Sequence, residues 1–174
     1  MPQPPALITA RLRLRPLSAS DAGAMTRLID DIDVARMTTS IPHPFAREDA
    51  EAFIARMRAS DPGQEAVFAL DHPRDGFIGA VGLHPNASIG PELGYWLGRA
   101  YWGQGLMTEA VTAAVTWAHR CWKRRVLASG HFADNPASAR VLIKAGFLYT
   151  GVVEPRWSIA RAAHAPTRMM VSLA

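Results

Sequence analysis

The sequence is short of cysteine, of long apolar runs and of dense charge of one sign, and each shortage closes off a class of protein. A single cysteine, Cys121, in 174 residues excludes an intrachain disulfide and fits a reducing, cytoplasmic setting. No apolar stretch approaches the roughly 18–20 residues that a membrane-crossing helix needs, so no membrane partner is expected. The opening residues Met1 to Thr9 lack a basic segment followed by an apolar one. They read as an extended lead-in over 1–8 rather than as a secretory signal. The histidines are scattered without ligand spacing, and His119 with Cys121 alone does not make a metal site, so no metal is expected. Low-complexity tracts and internal repeats are missing too.

The length suits one domain over 1–174 with a single sizeable core. The net charge of +4 invites a nucleic-acid reading, but the basic residues, mostly arginine, are spread along the chain. Their densest cluster, Lys123-Arg124-Arg125, follows a long helical pattern, where cations complement the C-terminal end of the helix dipole. No aromatic-rich RNA motif accompanies it, so nucleic acid is not expected as a partner. Monomer and homodimer are both compatible with it.

Hydrophobic periodicity orders the chain. Residues 8–17 alternate like a half-buried strand, with Pro16 at its end. Ser18 to Asp21 offer caps for a helix carrying Met25, Leu28, Ile29 and Ile32 on one side. The stretch 41–45 breaks the pattern, and a second helix follows with Ala50, Phe53, Ile54 and Met57 at helical spacing. Strands are then expected at 65–70 and 77–84 around a hairpin loop, and at 92–97 after a turn at 85–91. Within that third strand Gly94 marks a bulge or a close backbone approach. A long helix spans about 103–122, with Cys121 on its apolar face. A strand at 126–133, a helix starting at Asn135-Pro136-Ala137-Ser138 and stopping at Gly146 after Lys144, and strands at 147–153 and 169–173 complete the chain. Hairpins mixed with helical crossovers imply an α/β (α+β) fold: a mixed sheet with helices packed on its faces.

The most informative run is Tyr101-Trp102-Gly103-Gln104-Gly105-Leu106-Met107-Thr108-Glu109-Ala110. A strand that turns through glycines into a helix N-terminus aims free backbone N–H groups at one point, where the dipole favours a phosphate or pyrophosphate. A Walker loop would need a lysine that the run does not have. A dinucleotide fingerprint would need a third glycine where Thr108 stands and an acid some 20 residues on, where the chain has Lys123-Arg124-Arg125.

The third reading rests on resemblance. From about Thr9 onward the chain resembles the GNAT acetyltransferases, whose acyl-coenzyme A turn falls on Trp102 to Met107. Trp102 and Met107 depart from the generic turn. Together with Glu92-Leu93-Gly94-Tyr95-Trp96-Leu97, Thr108-Glu109-Ala110 and the block Asp134-Asn135-Pro136-Ala137-Ser138 through Lys144-Ala145-Gly146-Phe147, the run is similar to the ribosomal-protein N-terminal acetyltransferase branch (RimJ/RimL-type). The tail Ser158-Ile159-Ala160-Arg161 with Met169 is also like some bacterial members of that branch.

The resemblance implies a single GNAT-like domain, with a mostly antiparallel sheet, a splayed central strand pair and helices on both faces. It also implies acetyl-CoA as cosubstrate and an amine acceptor, either a protein N-terminus or a small amine, with direct attack in a ternary complex. Trp96, Leu97, Gly98, Trp102, Gly103, Gln104, Gly105, Met107, Thr108, Asn135 and Lys144 are the expected cofactor-binding residues. Asn135 is equally well placed as an ordinary N-cap. Many members carry a tyrosine as proton donor to sulfur where this chain has Leu142, and Ser138 is the replacement candidate; its alternative is a helix-start serine bonded to its own backbone. Glu92 is the candidate general base, with a solvated carboxylate at a strand start as its alternative, and His84 is second choice. Glu109, in the first turn of the long helix, reads as structural. Cys121 is not expected to carry an acetyl group. The competing class is a non-catalytic acyl-CoA-binding or sensing module.

Overall fold

The structure, a computed structural model, describes residues 4–86 and 89–174. The start of the lead-in and part of the turn expected at 85–91 lie outside the described residues. The strands are β1 (Leu7–Ile8), β2 (Arg13–Pro16), β3 (Ala66–His72), β4 (Gly76–His84), β5 (Glu92–Leu97), β6 (Val126–Phe132), β7 (Leu148–Ser158) and β8 (Ala163–Leu173). They form one sheet in the order β1-β2-β3-β4-β5-β6-β8-β7. The helices are α1 (Ala22–Ile29), α2 (Ile32–Ala35), α3 (Arg47–Ala59), α4 (Leu106–Arg120) and α5 (Pro136–Lys144). Neighbouring strands are antiparallel except β5 and β6, which run parallel and meet at one register pair, Glu92 with Ala128. Beyond that pair they separate, which is the splay expected at the centre of the sheet. No helix among the described residues is long and apolar enough to cross a membrane.

Each face of the sheet has its own core, because side chains alternate between faces along every strand. Phe68, Val81, Leu83 and Leu93 point to the α4 and α5 side, where they pack with Val111, Leu127, Leu142 and Phe147. Trp117 of α4 lies edge-on to Phe68 with ring centroids 5.2 Å apart. Val67, Ala69, Phe77 and Ala80 point the other way and pack with Met25 and Ile29 of α1 and Ile54 of α3.

Several boundaries differ from the sequence reading for local reasons. The strand expected at 8–17 is a hairpin, β1 with β2, because Thr9 closes on Leu12: its backbone N–H donates to the Leu12 carbonyl at 2.9 Å and its hydroxyl oxygen accepts the Leu12 amide at 3.0 Å. The first helix ends at Ile29, since Asp31 accepts from the Asp33 amide at 2.9 Å and starts α2 as its N-cap. Helix α4 begins at Leu106 rather than 103, because Gly103 and Gly105 have φ of +74° and +76°. Cys121 is the C-cap of that helix and is exposed, not part of its apolar face. The last two strands are far longer than expected. Pro155 and Pro166 stand opposite one another in the β7–β8 pair, and proline conceals a strand from periodicity. No bulge interrupts β4–β5 at Gly94; the register runs unbroken from Gly79–Leu97 to His84–Glu92.

Candidate active site

The splay leaves one edge of β5 without a strand beside it. The Ala128 amide donates to the Pro91 carbonyl (2.9 Å) and the Ser129 hydroxyl to the Leu93 carbonyl (2.9 Å), so the odd-numbered residues of β5 turn their backbone groups toward β6. Tyr95 and Leu97 come next on that edge, where β6 has already moved away. An extended molecule can lie there and take up the ladder bonds a strand would have made. The Leu97 carbonyl also receives the Trp102 indole N–H at 2.7 Å, which folds the following turn back over this edge. Gly98 follows differently from expectation: its N–H bonds the Ile78 carbonyl and its carbonyl receives Tyr101 N–H, so its backbone is used within the fold.

The turn itself fits an anion. Gly105 is the N-cap of α4 and provides no side-chain cap, so the amides of Leu106, Met107 and Thr108 keep the unsatisfied donors of a helix start. Side chains rarely adopt the left-handed φ of Gly103 and Gly105, and a Cβ at Gly103 would stand in open space. Arg11 braces the turn, donating to the Gln104 carbonyl at 2.9 Å, with its guanidinium 3.6 Å from where a Cβ on Gly105 would sit. Glu109 fixes Arg11 in turn. Its carboxylate accepts from the Thr9 hydroxyl (2.6 Å), the Arg11 amide (2.7 Å) and the Arg11 Nε (2.8 Å). Burial opposes ionisation of Glu109, but these donors outweigh it and hold its pKa below the usual carboxylate range. The structural reading of Glu109 agrees with these contacts.

Across the gap, Asn135 caps α5, its Oδ1 accepting the Ser138 amide at 3.1 Å. This leaves the Ser138 hydroxyl free of its own backbone. It meets the hydroxyl of Tyr95 at 2.7 Å, and the Tyr95 hydroxyl also donates to the Ser138 carbonyl at 3.2 Å. Burial pushes the Tyr95 pKa upward, a shift that the bond to Ser138 only partly offsets, so the phenol stays protonated at neutral pH. Leu142 is fully buried in the core.

At one end of β3, β4 and β5, three titratable groups stand in a row. Glu65 (side chain 10 % exposed) accepts from His84 Nδ1 at 2.5 Å, with Arg56 3.6 Å away. A carboxylate on Nδ1 fixes the tautomer that leaves Nε2 with the lone pair. His84 faces Glu92 across the β4–β5 pair. Glu92 is itself held: Arg156 grips both of its oxygens, the second at 3.3 Å, and the Asn86 amide donates at 2.8 Å. Burial works against the charge on Arg156, but Glu92 and Glu154 more than compensate and raise its pKa. The His84 lone pair is therefore the proton-accepting atom of the row that its neighbours do not engage.

A cavity of about 1270 Å³ joins these parts, lined by Glu92, Trp96, Leu97, Gly103, Ser138 and Lys144 among others. Trp102, Gly105, Met107, Thr108 and Asn135 also line it. The Gln104 amide group donates to the Ala100 carbonyl at 3.1 Å. Trp96 has its side chain on the opposite face from Tyr95, 5.7 Å from the Phe77 ring. No local pattern marks Tyr95, Glu65 or Arg156 as site residues. The alternation of β5 puts Tyr95 on the α5 side, and that was the one readable hint. Among the described residues no group of acidic, histidine or cysteine side chains is arranged to hold a metal.

Comparison with known proteins gives the family and the fold. Residues 11–148 match the acetyltransferase (GNAT) domain family. The chain is similar to the uncharacterized N-acetyltransferase YoaA of Bacillus subtilis (strain 168), 28% identical over 153 residues and covering 86% of each chain. Among solved structures it resembles the ribosomal-protein-S5-alanine acetyltransferase from Vibrio fischeri, with TM-score 0.83 at 17% identity over 98% of this chain and 97% of that one. It also resembles the spermidine N-acetyltransferase from Vibrio cholerae in complex with CoA and spermine, with TM-score 0.78 at 17% identity over 94% and 96%. At such identities the two structures speak to the fold.

Proposed function

Since the chain belongs to the GNAT acetyltransferase family and is an acetyl-CoA-dependent N-acetyltransferase, we propose that it moves the acetyl group directly to a primary amine in a ternary complex. Acetyl-CoA supplies an activated acetyl thioester. The open edge of β5 at Tyr95 and Leu97 holds the extended arm. The amides from Gly103 to Thr108 hold the pyrophosphate, with Arg11 adding charge behind the turn and Lys144 at the end of α5. The open β5 edge running into an uncapped helix start carries this reading, because the two form one continuous backbone surface of the right chemistry.

The amine must lose a proton before its nitrogen can attack the carbonyl carbon, and the departing sulfur must receive one as the carbon–sulfur bond breaks. His84, oriented by Glu65, takes the first proton on Nε2. Glu92, fixed by Arg156 and Asn86, is the negative charge that draws the ammonium to this end of the cavity. Ser138 and Tyr95 supply the second proton from paired hydroxyls, in the role a tyrosine at Leu142 would have filled. Cys121 does not line the cavity, in keeping with transfer that bypasses an acetylated enzyme; Cys121→Ala retains full activity on this reading. The acceptor is a small amine or a protein N-terminus, the latter suggested by likeness to enzymes named for ribosomal proteins, and the protein works in the cytoplasm.

Mixing the protein with acetyl-CoA and a panel of amines and N-terminal peptides, while following free thiol, tests the reading. Thiol release that requires both substrates supports it. Tight CoA binding without release on any acceptor would instead make the chain an acyl-CoA sensor.

A further inference from the structure

The face of the sheet covered by α1 and α3 carries three cross-strand rows beneath the cavity. The row at one end is Glu65, His84 and Glu92. The next is Val67, Gly82 and Gly94, and the third is Ala69, Ala80 and Trp96, as the register of β3, β4 and β5 requires. The middle row has almost no side-chain volume. A Cβ on Gly94 would meet nothing within 4 Å, whereas one on Gly82 would fall 2.5 Å from the His84 ring. Gly82 thus makes room for the histidine, and Gly94 opens the floor.

The roof over this floor is apolar. Ile41 before α3 and Phe53 within it, both half-buried, line the same cavity beside Phe45 and pack against the second core, while Met25 and Ile29 of α1 are buried within that core. That core is closed, and its half-buried apolar margin faces the cavity. An apolar wall gives water few partners, so it selects an apolar occupant. Of the carboxylates that line the cavity, Glu65 and Glu92 lie at one end, Asp49 caps α3 through the Ala46 amide at 2.9 Å, and Asp134 is paired with Arg161 at 2.8 Å. The later cations of a polyamine would meet only these engaged carboxylates, with Arg140 and Lys144 also lining the cavity.

We infer that the acceptor is a primary amine carried on an apolar, aliphatic or aromatic body. Its nitrogen is presented to His84 and Glu92, and its body lies over Gly94 beneath Ile41, Phe45 and Phe53. The inference rests on the transferase reading above and narrows its substrate. A free amine and a peptide whose first residue has an apolar side chain share this chemistry, and the assay separates them.

The test uses the full chain with saturating acetyl-CoA and follows thiol release. Linear alkylamines from ethyl to octyl, phenethylamine, spermidine, and peptides beginning with leucine or serine serve as acceptors. We expect kcat/KM to rise about fourfold for each added methylene until the space is filled. Spermidine should lie at least about tenfold below hexylamine. The leucine peptide should exceed the serine peptide if the source is a chain terminus, and the free amines should exceed both if it is not. Gly94→Val should end the rise at a shorter amine, with the Kd for CoA from calorimetry unchanged within about twofold. A flat series, or spermidine as the best acceptor, overturns this inference while the transferase reading stands. Absence of thiol release with every acceptor overturns both.

Discussion

Single residues carry the chemistry here by sharing partners. Ser138 and Tyr95 form one hydroxyl pair, 2.7 Å apart, so removing either leaves the other in place. Ser138→Ala should lower kcat by about 10² if its hydroxyl delivers the proton. Tyr95→Phe should cost less, about tenfold, if Tyr95 mainly orients and recharges Ser138. Steady-state kcat at saturating acetyl-CoA checks both, and wild-type rates in both variants would remove the pair from the mechanism. His84 and Glu92, in the row with Glu65, should separate kinetically. His84→Gln should depress kcat with little change in KM for the amine, because it removes the proton acceptor. Glu92→Gln should instead raise KM for the amine, since it removes the charge that draws the ammonium.

At the scale of elements, the glycine turn, β5 and α5 were legible in the sequence because their signals are local. Two glycines before a helical pattern, a short apolar strand, and Asn-Pro before a helix closed by lysine and glycine each announce themselves within a few positions. The contacts that make the elements into a site were not legible. Tyr95 meets Ser138 across 43 positions and Arg156 meets Glu92 across 64, and no periodicity encodes which residues face each other across a sheet. The paired prolines of β7 and β8 hid most of that hairpin in the same way. Gly105→Ala places a side chain at φ +76°. It should cost about 1–2 kcal/mol in stability and weaken CoA binding, as chemical denaturation and calorimetry would show. Glu109 links the β1–β2 hairpin to the start of α4. Because its folded pKa is lowered, its stabilisation is present above the ordinary carboxylate range and is lost as pH falls through the folded value. Glu109→Gln should therefore be less stable than the wild type at neutral pH, and the difference should shrink as pH falls below the ordinary carboxylate range, in urea titrations across that range.

The whole molecule is a sheet with two unequal cores. The α4–α5 side is closed around Phe68, Leu142 and Phe147, and the α1–α3 side is closed around Met25 and Ile54 and turns Ile41 and Phe53 to the cavity. The parting of β5 from β6 connects that cavity to the uncapped start of α4, so donor and acceptor can meet across one sheet. A fold with such an internal space gains stability from the molecules that fill it. CoA at about 100 times its Kd should add about 2.7 kcal/mol, which for a chain of this size raises Tm by roughly 5–10 °C, measurable by scanning calorimetry.

The claim that unites these scales is direct, amine-dependent acetyl transfer at the β5–α5 gap. It is tested most directly by measuring free thiol and acetylated amine together, by mass spectrometry, in reactions of wild-type protein, Ser138→Ala and His84→Gln with acetyl-CoA. The account predicts equal amounts of thiol and N-acetylated product with the wild type, and both suppressed together in each variant. Thiol released without acetylated amine, or wild-type product from both variants, would contradict it.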